Sequence, residues 1–336
     1  MATKNSSTVK SCFTAVILWF NLQKLVNFIN YFMEGKKIII EDQGLRDGMQ
    51  TLSITIPVEK KLTYINQLIA AGLTRMQVAS FVHPKLVPQM ADAEAICTAL
   101  PSAPGVVFSG LVMNTKGVER AAKTGLKHLA ISLSASNTHS KKNANKSIDE
   151  AKVEFKEMVK LAKQENISIR GGIQCAFGCR YEGNINKQVV YDLVQHHIDC
   201  GVEEIALADS TGMGNPTQIY TMMQVVKALA PQIPIALHLH NTENKGYANV
   251  CAAIEAGIYQ FDTAFGGLGG CPFIQGATGN IATEDTVHML HQMGHITGID
   301  IHQVAAVSKD VAQQLASPLP GLLYTLLDRT DIKMNE

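Results

Sequence analysis

The sequence predicts an α/β fold, a closed (β/α)8 TIM barrel with an N-terminal appended segment and a small C-terminal extension. Three observations carry this expectation. From Lys36 onward, eight short aliphatic runs alternate with eight helical patterns, and such alternation means a parallel sheet, because a right-handed crossover helix must join each strand to the next. The first strand runs into G-L-R-D-G-M-Q at 44–50 and lacks the G-x-G-x-x-G turn that an open dinucleotide-binding sheet would carry there. Polar side chains also recur where the strands end, the face on which such barrels place their chemistry.

The strands are expected at residues 38–41, 76–79, 106–110, 128–133, 168–174, 204–208, 235–240 and 260–263. Each is a short run rich in aliphatic or β-branched residues, of a length suited to a buried strand. Helices are expected at 57–71, 84–100, 116–124, 148–165, 187–200, 216–229, 246–256 and 283–293. Pro57 and Pro216 suit first helical positions, and Gly72, Gly125, Gly201 and Gly257 suit the residue just past a helix end. No low-complexity segment or linker divides the barrel, so it is read as one domain, 36–298, with 299–336 as a terminal helix and proline-stiffened tail packed outside.

Residues 1–35 form a separate extension, apolar and helical in pattern. Asn21, Gln23, Lys24, Asn27 and Asn30 interrupt its apolar run within the roughly 20 residues that a membrane span requires. It has no small-residue cleavage site of a secretory signal and none of the arginines of a mitochondrial presequence, and the chain ends K-M-N-E, which is no peroxisomal tail. A cytoplasmic protein is therefore expected. Lys plus Arg number 29 and Asp plus Glu 29, with no basic cluster interleaved with aromatics, which argues against a nucleic-acid partner. The seven cysteines are scattered without paired C-x-x-C spacing, as suits a reducing compartment.

The stretch around which the chemistry gathers is I-A-L-H-L-H-N at 235–241. Residues two apart in a strand point the same way, so His238 and His240 share a side. Asp47 follows strand one and Asn280 follows strand eight, so two nitrogen and two oxygen donors meet at one end of the barrel. Such a set suits Mg2+ or Mn2+, with Zn2+ and Co2+ as alternatives and a purely hydrogen-bonding role for the histidines as the competing reading. Arg46, beside Asp47, would neutralise an enolate oxygen during carbon–carbon cleavage, or form an ordinary ion pair. Cys271 stands in the glycine-rich loop after strand eight, where a thiol would shuttle a proton or merely fill space. Cys175 and Cys179 lack zinc-knuckle spacing and are read as loop packing. His196 and His197 are read as part of a solvated helix face, and His83 as the start of the helix after strand two, with contact to substrate as the lesser alternative.

These residues lie in longer motifs that resemble the 3-hydroxy-3-methylglutaryl-CoA lyase family of metal-dependent lyases. The matching pieces are L-R-D-G-M-Q at 45–50, S-F-V-H-P-K-L-V-P-Q-M-A-D at 80–92, C-A-F-G-C-R-Y-E-G at 175–183, A-D-S-T-G-M-G-N-P at 208–216, H-L-H-N-T at 238–242 and G-G-L-G-G-C-P-F-I-Q-G-A-T-G-N-I-A-T-E-D at 266–285. The resemblance implies cleavage of an acyl-CoA substrate to acetyl-CoA and acetoacetate. It assigns Asp47, His238, His240 and Asn280 to a divalent cation, Mg2+ or Mn2+, Arg46 to the enolate, and Cys271 to proton transfer. His238 would help move the hydroxyl proton, Gln50 and Asp209 would support substrate or Arg46, and a homodimer would be expected.

Four departures from the family pattern stand out. Gln77 replaces the usual glutamate near the arginine and the metal, Q-T-L-S at 50–53 replaces Q-N-E-K, H-L-H-N-T replaces H-C-H-D-T, and Asn137 falls where an acidic residue is typical. They open two further readings: a lyase or condensing enzyme for a different 3-hydroxy-3-substituted glutaryl-CoA, and a barrel that binds acyl-CoA without turnover.

Overall fold

A computed structural model describes residues 35–270 and 279–327. The N-terminal extension up to residue 34 and Cys271 lie outside the described residues. Eight parallel strands close into a barrel in sequence order: β1 (Ile39–Asp42), β2 (Arg75–Ser80), β3 (Val107–Val112), β4 (His128–Ser134), β5 (Ser168–Gln174), β6 (Glu204–Asp209), β7 (Ile235–Leu239) and β8 (Gln260–Thr263). The seam is the pairing of Ile39 with Gln260 through Asp42 with Thr263. Helices between the strands cover the barrel, and their apolar faces meet the outward-pointing strand residues in one continuous core. Among the described residues no helix is long and apolar enough to cross a membrane.

Several helix boundaries follow from local chemistry. Ser147 starts Ile148–Gln164 with a reciprocal capping box to Glu150, and Asn215 caps Pro216–Leu229, where Pro216 loses nothing by lacking an N–H. The helix expected at 84–100 is instead a short turn at Pro88–Met90 followed by Ala93–Thr98. Pro88 is the reason: inside a continuous helix it would remove one hydrogen bond and clash with the preceding turn. A helix at Asn137–Ala144 was not expected; Ser136 caps it by accepting the His139 N–H, and it ends at Asn145 in a left-handed conformation, φ 55°. Polar at every position before Ala144, it shows no apolar period to read.

Inside the barrel lies a layer of charge. Arg170 on β5 reaches Glu41 at 3.3 Å, Glu204 at 2.9 Å and Asp262 at 2.8 Å. Arg75 on β2 reaches Glu41 at 2.9 Å and Glu204 at 2.8 Å. Burial pushes the pKa values of Glu41 and Asp262 up, but Arg170 together with Arg75 at Glu41, and Arg170 together with His238 at Asp262, brings both below the ordinary carboxylate range. Two guanidiniums against three carboxylates leave the layer one negative charge in excess, and Asp262 turns its second oxygen toward His238 at 3.2 Å.

Candidate active site

Each site residue is placed by a specific local structure. After β1 the chain makes one wide helical turn at Gly44–Gly48, opened by the Asp42 carboxylate accepting the Gly44 N–H at 2.8 Å. Gly44 has to be glycine, because a Cβ there would stand 2.4 Å from the Phe265 ring. The turn brings Arg46 and Asp47 over the strand ends. His238 lies within β7 and His240 just beyond it, in a bridge to Asn280. The chain returning from the glycine loop runs beside β7: Asn241 N–H donates to Gly279 O at 2.8 Å and Ile281 N–H to Leu239 O at 3.2 Å.

This arrangement brings together the four donors expected from the sequence. His238 Nε2 and His240 Nε2 stand 3.0 Å apart, and His240 Nε2 is 3.9 Å from Asp47 Oδ2. One donor atom from each of Asp47, His238 and His240 lies within 4.8 Å of the others. Asn280 Nδ2 donates to Asp47 Oδ2 at 2.8 Å, while Asn280 Oδ1 is buried with no partner. Burial, then the neighbouring His238, hold the His240 pKa down to about 4, so its ring is neutral at pH 7. For Asp47, burial pushes upward, but Arg46, His238, His240 and the Asn280 amide together bring its pKa to about 2. An Nδ1–H of His238 donated to Asp262 leaves its Nε2 lone pair facing the His240 ring. A carboxylate, an orphaned amide oxygen and converging imidazole nitrogens fit a divalent cation.

Arg46 is held on three sides. Its Nε donates to Gln77 Oε1, Nη1 pairs with Asp47 Oδ1, and Nη2 donates to Gln43 Oε1 at 2.6 Å. Gln77 therefore still orients the arginine, but without the charge of a carboxylate. Gln50 Nε2 donates to Asp47 Oδ1 at 3.0 Å. Gln43 went unnoticed in the sequence, although its spacing of three from Arg46 on a helical turn is a usable signal. Asp209 is elsewhere: fully buried, it accepts the Gly214 N–H at 3.0 Å and does not line the cavity, and burial pushes its pKa up to about 6.

A cavity of about 620 Å3 opens above these residues, with Arg46, Asp47, Gln50, Gln77, His238 and His240 in its wall. Its lining also includes the apolar Val82, Leu86, Val87 and Met113 and the basic Lys142, Lys146 and Arg180. His83 lines it too. Cys179 also lines it and donates its thiol to Ser136 Oγ at 3.1 Å, while Cys175 is buried at φ 55°. The expectation for His197 is corrected: it is wholly buried, stacked on Phe155 at 4.3 Å, with Nε2 3.0 Å from Gly172 O. Gly171 makes this possible, since a Cβ there would stand 2.7 Å from the ring.

The sequence profile of the HMGL-like family matches residues 37–311. The chain belongs to the HMGL-like family. As a carbon–carbon lyase of that family, it is 37% identical over 286 residues to a hydroxymethylglutaryl-CoA lyase of Bacillus subtilis, covering 85% of this chain and 96% of that one. It is 40% identical over 265 residues to the cytoplasmic 3-hydroxy-3-methylglutaryl-CoA lyase of Rattus norvegicus, covering 79% and 77%. An (R)-citramalyl-CoA lyase of Chloroflexus aurantiacus is 37% identical over 296 residues, covering 85% and 93%. Among solved structures, an HMG-CoA lyase from Acinetobacter baumannii in complex with coenzyme A and 3-methylmalate superposes with a TM-score of 0.84 at 36% identity, covering 89% of this HMGL-like chain and 98% of that one.

Proposed function

We propose that the chain is a divalent-metal-dependent lyase that splits 3-hydroxy-3-methylglutaryl-CoA into acetyl-CoA and acetoacetate. The observation that carries the reading is the meeting of Asp47, His238 and His240, whose donor atoms lie within 4.8 Å, in the wall of a cavity that also presents Arg46. Mg2+ or Mn2+ bound there, with Asn280 as fourth donor, would hold the substrate hydroxyl beside its neighbouring oxygen and acidify that hydroxyl. His238 would take the hydroxyl proton on Nε2, giving up its place on the cation at that step, while Asp262, 3.2 Å from Nδ1, fixes the ring. The C2–C3 bond breaks, C3 becomes the ketone of acetoacetate, and the bonding pair passes into an enolate on the thioester. Arg46 faces the enolate oxygen, a contribution of about 3 kcal/mol for one well-aimed donor. Cys271 gives its thiol proton to C2, completing acetyl-CoA, and the thiolate regains a proton from solvent.

A second reading, a lyase or condensing enzyme for a different 3-hydroxy-3-substituted glutaryl-CoA, is favoured by Gln77 beside Arg46 and by the (R)-citramalyl-CoA lyase among the relatives. A panel of 3-hydroxyacyl thioesters tests both. Highest kcat/KM on HMG-CoA supports the first reading, turnover confined to another acyl group supports the second, and binding of every thioester with cleavage of none sinks both. A cytoplasmic setting and a paired assembly belong to the same proposal, the former supported by the name of the rat relative.

A further inference from the structure

A buried carboxylate and the C-terminal tail grip the turn at 265–268. Glu284, wholly buried at the start of the helix Thr283–Gln292, accepts the Gly266 N–H on both oxygens, at 3.1 and 3.0 Å. Its Oε1 also accepts the Ser308 hydroxyl at 2.7 Å, from the helix Ile301–Leu315. From the tail, Gly321 N–H donates to the carbonyl of the same residue, Gly266 O, at 2.8 Å. Gly266 is left-handed, φ 62°, and Leu319 packs so closely that a Cβ on Gly266 would stand 2.3 Å from Leu319 Cδ1. The tail is itself anchored: Leu319 N–H donates to the Tyr324 hydroxyl at 2.8 Å, and Leu322 and Leu323 N–H donate to the Asp285 carboxylate at 3.0 and 2.8 Å. These tail residues lie beyond 311, where the match to the family profile ends.

The gripped turn reaches Asn280 through a backbone carbonyl. Leu268 N–H donates to Phe265 O at 3.2 Å, and Leu268 O accepts the Asn280 amide at 2.9 Å. The same Nδ2 donates to Asp47 Oδ2 at 2.8 Å. Both amide hydrogens are thereby used, which settles which way the amide faces and leaves Oδ1 buried and unpartnered. We propose that Glu284 and the C-terminal turn at 319–321 are positioning residues, holding the 265–268 turn so that its carbonyl presents the Asn280 oxygen to the cation. This rests on the reading of Asn280 as a metal donor.

The test uses the full chain with Leu319→Ala, Glu284→Ala, Glu284→Gln and Asn280→Ala, read by two measurements. Amide hydrogen exchange on metal-free protein follows 264–270, with the helix Pro216–Leu229 as internal reference, and calorimetric titration gives Mn2+ affinity. Glu284→Ala and Leu319→Ala are expected to speed exchange at 266–268 about tenfold while the reference helix keeps parental rates. Both should weaken Mn2+ binding about 10- to 100-fold, toward the Asn280→Ala value. Glu284→Gln, whose amide keeps an acceptor for Gly266 and a donor for Ser308, should restore both readouts, a rescue that a merely space-filling role does not require. Parental exchange at 266–268 in Glu284→Ala overturns the proposal, as does parental Mn2+ affinity in the positioning variants when Asn280→Ala binds weakly. Should Glu284→Ala not fold, Leu319→Ala decides in the same way. A parent chain that binds no Mn2+ defeats the metal reading itself, and the exchange result still decides whether the turn is held as described.

Discussion

Two groups of buried ionisable side chains sit a few residues apart in this barrel, and they are built on opposite terms. In the layer across the interior, Glu41, Glu204 and Asp262 each face a guanidinium of Arg75 or Arg170 at 3.3 Å or less. At the mouth, two imidazole nitrogens stand 3.0 Å apart, and His240 Nδ1 and Asn280 Oδ1 have no partner. In the layer the charges are paired, although Arg170 Nε, 2.9 Å from Glu204, makes no aligned hydrogen bond; a paired network rigidifies and has little left to offer a ligand, whereas buried donors and acceptors with no counterpart are costly unless something completes them. The difference separates scaffold from site more sharply than residue type does, since carboxylates and cationic or ionisable nitrogen groups occur in both. Asp262 belongs to both, paired with Arg170 at 2.8 Å and with His238 at 3.2 Å, so the scaffold sets the ring that works.

The comparison breaks first at Arg170. Arg170→Met leaves Glu41 and Glu204 only Arg75 and leaves Asp262 no guanidinium, and should cost about 3–5 kcal/mol in urea unfolding; a loss under about 1 kcal/mol would mean that the layer is incidental. Cys271→Ala, at the mouth, should do the reverse, lowering turnover about 10^2- to 10^4-fold with stability and Mn2+ affinity intact. An unchanged rate removes the thiol from the mechanism. A third measurement concerns Glu284, whose pKa burial raises from 4.5 to about 7. A raised carboxylate pKa means that the folded chain holds its proton more tightly than the unfolded one. The associated stability is complete below pH 4.5 and is lost as pH rises through about 7, at most about 3 kcal/mol. Glu284→Gln should flatten the fall in unfolding free energy between those limits, and an unaltered slope would assign it to Asp42 or Asp209, both raised to about 6 mainly by burial. The smallest effect is expected from Gln77→Glu. If the missing carboxylate limits use of HMG-CoA, the substitution should raise kcat/KM on it about tenfold, worth about 1.4 kcal/mol; no gain removes Gln77 as the cause.

The two regions differed in how plainly the sequence announced them. The strands were legible because parallel strands covered on both faces read as aliphatic runs, and the mouth because His238, His240, Asp47 and Asn280 fall at strand ends. The charged layer was not, although Glu41, Arg170, Glu204 and Asp262 are visible within the strands as drawn. A polar residue in a short aliphatic run carries no sign of which partner it will meet across a closed sheet. His197 misled for a related reason: its burial depends on Gly171 and Phe155, remote in sequence and adjacent only once β5 forms. The break at Pro88 is legible in the sequence, since a proline inside a helix interrupts it. The grip of the tail on Gly266 left no signal at all, being made largely by backbone groups.

The most direct test of the central claim is acetoacetate release from HMG-CoA by the full chain, measured after chelation and again after adding Mn2+. Release abolished by the chelator and restored by Mn2+ in the parent, but not restored in His240→Ala, is the predicted result. Equal release with and without chelator would contradict a reaction that depends on Asp47, His238, His240 and Asn280 sharing a cation.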